Sequence, residues 1–211
     1  MANKSGYLIS FEGGEGGGKS TQVARLAEQL RAAGHDVVAL REPGGTAVGE
    51  QIREVVLAKK NTGMAFTTEV LLFQAARAQI YAEVVIPSLK AGKIILMDRT
   101  RDSSVVYQGV VRGFGSDLIE QLNDISTQNT HPHATILLDV PVEVGLGRRV
   151  AAGDMNRLDL EDKSFHEKVR QAYLVLAKNA KPGRWHVIDA ASSFEVVEKQ
   201  IWEVVSALVR P

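Results

Sequence analysis

A glycine-rich stretch near the start of the chain has the residue types and the spacing of a phosphate-binding loop. The segment GGEGGGKS, residues 13–20, satisfies the pattern G-x-x-x-x-G-K-[ST]. Glycines let backbone N–H groups turn inward around a phosphate, and a helix that starts there adds its positive N-terminal end. Lys19 would neutralise the outer phosphates, and Ser20 would offer its hydroxyl to Mg²⁺. The predicted chemistry is binding of the phosphates of a nucleotide.

The sequence on both sides of this phosphate loop supports the same prediction. The apolar run YLISF before it is typical of a strand, and STQVARLAEQLRAAG, residues 20–34, follows with a helical period. A glycine-rich turn that matched the pattern by chance would lack this strand–loop–helix context. We therefore interpret residues 13–20 as a nucleotide-phosphate site. The molecule to which the phosphate is transferred remains open at this point.

Two aspartates that end apolar runs are candidates for the carboxylate of a Mg²⁺ shell opposite Ser20. Asp98 ends KIILMD, and Asp139 ends ATILLD. Asp98 is followed by an arginine and by the donor-rich stretch TRDSSVVYQG. Asp139 is followed by Pro141, which is typical of a helix start and favours a structural or capping role. The context favours Asp98.

Charged side chains at two strand ends could reach a ligand in the same crevice. Arg99 follows Asp98 directly, and an arginine fork suits a second phosphate that Lys19 does not hold; a surface salt bridge is the weaker interpretation. REPGGT, residues 41–46, would place Arg41 or Glu42 beside the crevice, although an ordinary loop explains this segment equally well.

Two further segments are ambiguous from their residues alone. Phe73 and Arg77 lie four apart on one helical face and could bind a flat ring, but a core phenylalanine and a solvated arginine are the simpler interpretation. The polar stretch from Arg148 also carries Arg149 and Arg157, and it fits either a mobile basic lid over phosphates or a solvated loop.

The elements that must position these residues form an alternating pattern. Five apolar runs predict buried strands: YLISFE, DVVALRE, KIILMD, ATILLDV and WHVIDA. The clearest helical segments are residues 19–33, 67–91, 163–180 and 194–209. Such alternation predicts an α/β fold with a parallel sheet covered on both faces, whose ligands bind beyond the carboxyl ends of the strands.

The composition limits the function classes. A length of 211 residues fits one domain, residues 1–211, and 45% hydrophobic residues suffice for a sizeable core. Basic and acidic residues balance at 25 each, so no global field favours nucleic acid or an anionic membrane. There are no cysteines, which excludes disulfides, zinc–thiolate sites and thiol catalysis. The N-terminus resembles no signal peptide, and no membrane span is evident, so we expect a cytoplasmic protein.

Taken together, these segments resemble the bacterial-type thymidylate kinases of the P-loop nucleoside monophosphate kinase group. The resemblance rests on FEGGEGGGKST, REPGGT, LLFQAARAQ, DRTRDSSVVYQG and LDVPVEVGL with the later RR and NRLD, in the order and spacing of that family. It covers nearly the whole chain. The phosphate loop alone is unspecific, but REPGGT together with DR, SS and YQG is highly specific.

The resemblance implies a five-stranded parallel sheet flanked by helices on both faces, a flexible lid over about residues 148–162, and a homodimer. It implies transfer of the γ-phosphoryl group of MgATP to dTMP, with Ser20 and Asp98 at the metal. The implied ATP-binding residues are Gly13, Gly14, Glu15, Gly16, Gly17, Gly18, Lys19, Ser20, Thr21 and Arg148. The segment VIDA, residues 187–190, would pass near adenine.

For the acceptor nucleotide, the resemblance implies that Arg99 and Arg53 hold the phosphate. It also implies that Glu15 lies near the sugar. Phe73 would stack on thymine and Arg77 would donate to a base carbonyl, which reverses the simpler interpretation above. The implied dTMP-binding residues are Glu42, Arg53, Phe73, Arg77, Arg99, Ser104, Tyr107 and Gln108. Among them, Ser104 and Gln108 would face the base, and Tyr107 would crowd the 2′ position.

The residues expected to take part in catalysis are Glu15, Lys19, Arg99, Arg149 and Arg157. Gly16 follows Glu15, where some relatives carry an arginine, so we assign the transition-state cation to the lid. Adjacent helical residues lie about 100° apart, so Arg148 and Arg149 should not both point inward easily, and we place Arg148 near adenine. We expect Arg157 to reach the site from a flexible stretch.

The chain departs from the family pattern at two places, and three other functions are considered beside dTMP phosphorylation. Thr100 stands where the family often has an aromatic, and the glycine run before Lys19 is longer than usual. A GTPase switch would need a guanine-reading Asn-Lys-x-Asp segment, which the chain lacks, and a motor ATPase would need far more chain. A kinase for another nucleoside monophosphate or a deoxynucleoside remains open.

Overall fold

A single sheet of five parallel strands organises the chain. The structure is a computed structural model that describes residues 6–153 and 155–209. Its strands are β1 (Tyr7–Glu12), β2 (Val37–Arg41), β3 (Ile94–Asp98), β4 (Ala134–Asp139) and β5 (Trp185–Asp189), in the order β2-β3-β1-β4-β5. The predicted five-stranded parallel sheet is confirmed.

Helices cover both faces of this sheet. They are α1 (Lys19–Ala32), α2 (Ala47–Leu57), α3 (Phe66–Ile80), α4 (Ile86–Lys90), α5 (Arg101–Ser104), α6 (Ser116–Thr127), α7 (Val142–Ala152), α8 (Lys163–Asn179) and α9 (Phe194–Leu208). The helix predicted over 67–91 is divided into α3, a π-helical turn at Tyr81–Val85, and α4. Among the described residues, no helix combines the length and the apolar character needed to cross a membrane.

Alternation along β1 explains why two layers of helices are needed. Ile9 and Phe11 face a core cluster that includes Leu26 of α1. Leu8, the residue before Ile9, faces the opposite cluster with Ile80 at the end of α3. Because neighbouring side chains of a strand point to opposite faces, a central strand with buried apolar side chains on both faces must be covered on both sides.

The carboxyl ends of β1 and β3 lie side by side and lead into the predicted site. Phe11 pairs with Asp98 in the parallel register, so the residues after each strand emerge at the same edge. β2 joins this edge through the pairing of Arg41 with Asp98. The sheet order therefore brings the phosphate loop, the REPGGT turn and the Asp-Arg pair together, as parallel α/β sheets do at their ligand sites.

Candidate active site

A cavity of about 440 Å³ opens at the carboxyl edge of the sheet. Its walls come from the phosphate loop, the turn after β2, α2, α3, the segment after β3, and α7. Most of the predicted site residues line it: Glu15, Gly16, Gly17, Gly18, Lys19, Ser20, Thr21, Glu42, Arg53, Phe73, Arg77, Asp98, Arg99, Ser104, Tyr107, Gln108, Arg148 and Arg149. Gly13, Gly14 and Arg157 are not part of its lining.

The phosphate loop needs its glycines for both torsion and space. Gly13 and Gly16 have φ values of 138° and 67°, in the left-handed region that favours glycine. A Cβ on Gly13 would overlap the carbonyl oxygen of Leu138, and one on Gly16 would overlap that of Gly145. The loop is thus wedged between the end of β4 and α7, and α1 begins at its last residues with its N-terminus toward the cavity.

Lys19 lies buried at the base of the phosphate loop. Its Nζ donates to the carbonyl oxygens of Gly14, at 2.7 Å, and Gly13, at 3.2 Å. Burial and the neighbouring Arg99 charge lower the pKa of Lys19 to about 8, against the opposing effect of Glu15 and other carboxylates. This amine carries its charge at neutral pH beside the place where phosphates would bind.

The structure separates the two aspartate candidates for the metal shell. The Ser20 hydroxyl donates to Oδ2 of Asp98, so the two predicted metal ligands are neighbours in the cavity wall. Asp139 instead accepts two hydrogen bonds from Arg170, at 2.7 and 2.9 Å. Asp98 therefore lies beside Ser20 in the cavity wall, whereas Asp139 is paired with Arg170 and is not part of the lining.

Arg99 is held in a strained conformation directly behind the phosphate loop. Its φ of 67° is uncommon for a non-glycine residue. Its guanidinium donates to Oε1 of Glu15 and to the carbonyl oxygen of Gly13, at 2.8 and 2.9 Å. The Tyr173 hydroxyl is 3.2 Å away, and the Tyr107 ring lies 5.3 Å below the guanidinium carbon. Several contacts thus fix one cation at the junction of the two predicted phosphate sites.

Glu15 joins this cation to the predicted sugar pocket. Its Oε1 accepts from Arg99 and, at 2.8 Å, from the Tyr107 hydroxyl. Burial acts to raise the pKa of Glu15, but the charges of Arg99 and Lys19 outweigh it and hold the pKa at about 2. The carboxylate is therefore ionised at all physiological pH values.

Arg77 is the most completely buried arginine of the cavity wall, with 1% of its surface exposed. It donates to Glu42 through Nε, to Ser104 and Asn123 through Nη1, and to the carbonyl oxygen of Thr100 through Nη2, all at 2.8–3.1 Å. The simple interpretation of a solvated arginine is therefore wrong. A buried guanidinium with this many partners has a fixed orientation.

The other residues predicted to bind dTMP line the same cavity as Arg77. Phe73 packs partly buried in the cluster that contains Tyr107. Tyr107 and Gln108 lie in a π-helical segment, Val105–Val111, and such segments are frequent at functional sites. Arg53 of α2 donates to the carbonyl oxygen of Pro43 at 2.8 Å. The structure thus brings all the predicted dTMP-binding residues into the lining of one cavity.

Two adjacent arginines of α7 both line the cavity, contrary to expectation. Arg148 donates to the carbonyl oxygens of Gly16 and Ala190, so it connects the phosphate loop with the segment predicted near adenine. Arg149 pairs with Asp159 at 2.8 Å. Long side chains can bend around a helix, so an angular separation of about 100° at the backbone does not keep either of them out.

Arg157, expected to reach the site from a flexible stretch, does not line the cavity in this structure. Its side chain is buried, its Nη2 lies 2.6 Å from Oε2 of Glu69, and its Nε donates to the carbonyl oxygen of Val56. Its backbone N–H donates to the carbonyl oxygen of Leu57. The fold thus points Arg157 into the α2–α3 junction rather than toward the phosphates. Asp154, within the predicted lid, lies outside the described residues.

Comparison with known proteins agrees with this geometry. The family model described as Thymidylate kinase matches residues 11–201. The chain belongs to the thymidylate kinase family. Its relatives include thymidylate kinases of Alcanivorax borkumensis, 44% identical over 97% of this chain and 98% of that protein, and of Geobacter sulfurreducens, 45% identical over 95% and 96%.

A solved structure of this family has the same fold. The crystal structure of thymidylate kinase from Ehrlichia chaffeensis superposes with a TM-score of 0.77 at 33% identity, covering 95% of this chain and 99% of that one. The resemblance inferred from the motifs is therefore confirmed, and with it the P-loop nucleoside monophosphate kinase fold.

Glu12 is a site residue that the motif analysis missed. It is fully buried and accepts from the Thr100 N–H, the Ser103 hydroxyl and the Tyr173 hydroxyl, at 2.6–2.9 Å. Burial and the nearby Asp102 charge raise its pKa to about 7. A carboxylate that ends an otherwise apolar central strand was the signal in the sequence. Glu12 lies behind Arg99 and shares two hydroxyl partners with it.

Thr100, the departure from the usual aromatic, is integrated into the acceptor wall. It is fully buried, and its hydroxyl donates to Oε1 of Glu42 and lies 2.9 Å from the Tyr81 hydroxyl. Glu42 in turn holds Arg77. In this chain Thr100 therefore links Tyr81 to Glu42 through hydrogen bonds.

Proposed function

We propose that this protein transfers the γ-phosphoryl group of MgATP to dTMP, giving dTDP and ADP. The observation that carries this proposal is one cavity whose lining includes three cations: Lys19 and Arg99, which both donate to the carbonyl oxygen of Gly13 in the phosphate loop, and the buried Arg77 of α3. The names of the similar proteins support the same substrate pair. No specific observation favours a kinase for a different nucleotide.

The donor phosphates would lie on the phosphate loop. Its inward backbone N–H groups, the N-terminus of α1 and Lys19 would share their negative charge. Ser20 and Asp98 present a hydroxyl and a carboxylate, which are oxygen ligands that suit Mg²⁺, and they are close enough to serve one ion. Bound there, the metal would neutralise charge on the β- and γ-phosphates.

The acceptor phosphate would meet Arg99. Glu15 and the loop carbonyl of Gly13 hold this guanidinium beside the donor site, so an acceptor bound to it approaches the γ-phosphate with little loss of orientation. Arg53 lines the same side of the cavity. Positioning of two phosphates is the main task in phosphoryl transfer, because little covalent chemistry is left to the protein.

The base would be read by Arg77 from a fixed direction. Four hydrogen bonds to protein use four of the five N–H donors of its guanidinium, which leaves one on Nη2 for a carbonyl of the ligand. Phe73 would stack on the ring, while Ser104 and Gln108 would face its edge. Tyr107, tied to Glu15, would occupy the space of a ribose 2′-hydroxyl.

Residues 148–162 would act as a lid, with Arg149 as the cation that meets the charge of the transferring phosphoryl group. Arg149 lines the cavity and is paired with Asp159, so it is present in the cavity wall without a large rearrangement. We do not assign this role to Arg157, because its side chain is paired with Glu69 and does not line the cavity. We place Arg148 near the adenine because of its bond to Ala190.

We also propose that the protein is a cytoplasmic homodimer. Exposed apolar side chains occur on three successive packed helices, α2, α3 and α6: Val55, Leu71, Leu118 and Ile125, of which Ile125 is 76% exposed. Such a surface favours burial against a second copy. Sedimentation equilibrium should give twice the chain mass, and Ile125→Asp should shift it toward the monomer; a monomeric parent protein would contradict the proposal.

A coupled assay of ADP release tests the proposed reaction. With MgATP as donor, dTMP should give the highest kcat/KM among dTMP, dUMP, dCMP, dGMP and GMP. Thermal unfolding with ADP present should show the largest stabilisation with dTMP, because a ligand bound only to the native state raises its stability. Higher activity with a purine or cytosine nucleotide would overturn the assignment of the acceptor.

A further inference from the structure

One buried carboxylate joins the acceptor pocket to the lid. Glu69 lies in the first turn of α3 and is 1% exposed. Its Oε1 accepts from Nε2 of Gln108 at 2.9 Å, and its Oε2 accepts from Nη2 of Arg157 at 2.6 Å. Arg112 approaches Oε1 at 3.5 Å. Two arginines therefore compensate the buried charge of Glu69. One oxygen of this carboxylate holds Gln108 of the cavity wall, and the other holds Arg157 of the lid.

The bond to Gln108 determines which end of that amide can face a ligand. An ionised carboxylate only accepts hydrogen bonds, so the NH₂ group of Gln108 must face Glu69. Its carbonyl oxygen then points elsewhere, and the side chain lines the cavity. Without the carboxylate, the amide could rotate and exchange its donor and acceptor ends. Glu69 thus fixes the hydrogen-bonding pattern that Gln108 presents.

The bond to Arg157 fastens the lid at its C-terminal half. Arg157 makes three hydrogen bonds to α2 and α3, through its backbone N–H, Nε and Nη2. Its neighbours Asn156 and Leu158 line the cavity. Asp159, which holds Arg149, accepts a bond from the backbone of Asn156 at 2.7 Å. The position of this stretch therefore depends on an arginine anchored at Glu69.

We propose that Glu69 is a positioning residue that sets Gln108 toward the acceptor base and anchors the lid through Arg157, so that base recognition and lid position depend on one carboxylate. This inference rests on the proposed function, because it takes the ligand beside Gln108 to be a nucleotide base. A purely structural ion pair would stabilise the fold without a preference for one substrate. The two cases differ in kinetics.

The first test compares Glu69→Gln with a matched control, Glu198→Gln. Glu198 also pairs with an arginine, Arg25, and accepts from Gln29, but it lies on α9, outside the cavity lining. For Glu69→Gln we expect the KM for dTMP to rise about 10-fold while the KM for ATP stays within about twofold. Glu198→Gln should change neither. Equal changes in both KM values, or none, would overturn the proposal.

Double-mutant cycles test the coupling itself. Gln108→Ala and Arg157→Ala are each combined with Glu69→Gln, and the KM for dTMP is measured for every variant. We expect the fold-increase in the KM for dTMP in each double variant to be smaller than the product of the two single fold-increases, because each pair shares one hydrogen bond. Effects that multiply fully in both cycles would contradict the proposal.

A conservative variant protects the test against misfolding. Glu69→Asp keeps the compensating charge between the two arginines but withdraws the carboxylate by one methylene. We expect a melting temperature closer to the parent protein than that of Glu69→Gln, with the KM for dTMP still raised several-fold. A parental KM in Glu69→Asp would overturn the proposal. A parent protein inactive with dTMP would instead overturn the proposed function.

Discussion

The two ends of the cavity are built in different ways. The donor end consists mainly of backbone: a loop whose glycines at 13 and 16 permit torsions and close approaches that other residues exclude. The proposed acceptor end consists of charged side chains with several partners each: Arg77 and Arg99 line the cavity, and the buried Glu69 lies outside the lining and holds Gln108. A side chain added at Gly13 or Gly16 would displace the backbone of the loop, whereas removal of one member of a buried charge pair leaves the other charge uncompensated.

Because the two ends differ in this way, single substitutions should change the kinetic constants for ATP and dTMP separately. The largest expected effect is on kcat, and it comes from an arginine of the lid. Arg149→Ala should lower kcat roughly 10³-fold at saturating MgATP and dTMP, with little change in either KM, because a transition-state cation contributes mainly to kcat. Arg157→Ala should raise the KM for dTMP and lower the melting temperature. A kcat close to the parental value in Arg149→Ala would contradict the hypothesis that this lid arginine stabilises the transition state.

At the acceptor end, Arg99→Ala should lower kcat/KM for dTMP roughly 10²-fold. Removal of one partner of a buried charge pair costs several kcal/mol, since Glu15 is left with fewer compensating donors. The KM for ATP should stay close to the parental value. Steady-state assays that vary one substrate at a time distinguish this result from a general loss of activity.

The base pocket should give a smaller effect. dTMP and dUMP differ by one methyl group, which an apolar pocket distinguishes by about 1–3 kcal/mol. We expect kcat/KM to favour dTMP by roughly 10-fold or more, measured in one assay with both substrates. Equal values would argue against a dedicated thymine pocket beside Phe73.

The smallest expected effect is on stability, and it comes from Glu12. Burial raises its pKa from 4.5 to about 7, so the folded state binds more protons than the unfolded state between these values. The contribution of Glu12 to stability is therefore fully present below pH 4.5 and is lost as pH rises toward 7.

In Glu12→Gln this pH dependence should be weaker. Thermal unfolding from pH 5 to 7.5 should show a melting temperature that falls less with pH than in the parent protein, by a few degrees, given about 2–4 °C per kcal/mol for a chain of this size. The opposite sign applies to Glu15, whose lowered pKa adds stability that is lost only as pH falls from 4.5 toward 2. An unchanged slope in Glu12→Gln would contradict the assignment.

The contrast between the two ends also explains what could be predicted from the sequence. The phosphate loop was predictable because its chemistry depends on glycine torsions and a helix start, both of which are local. The sheet was predictable because continuous apolar runs alternate with helical periods. Arg77 could not be placed from its helix alone, since its burial depends on α6 and on the segment after β3.

Arg157 shows the same limit from the other side. A polar, basic stretch is typical of a mobile lid, and nothing local reveals that Glu69, 88 positions earlier, receives this arginine. Glu69 and Glu12 were missed because their partners are distant in the sequence, as Arg157 is from Glu69 and Tyr173 from Glu12. Only the tertiary structure shows that their partners surround the cavity.

Calorimetric titration of a non-hydrolysable MgATP analogue and of dTMP into Lys19→Ala and Arg99→Ala shows whether the donor and acceptor phosphates have separate cations. We expect a crossed pattern: Lys19→Ala binds the ATP analogue at least about 10-fold more weakly and dTMP normally, and Arg99→Ala does the reverse. Normal dTMP binding with poor binding of the ATP analogue in Arg99→Ala would show that Arg99 serves the donor phosphates instead.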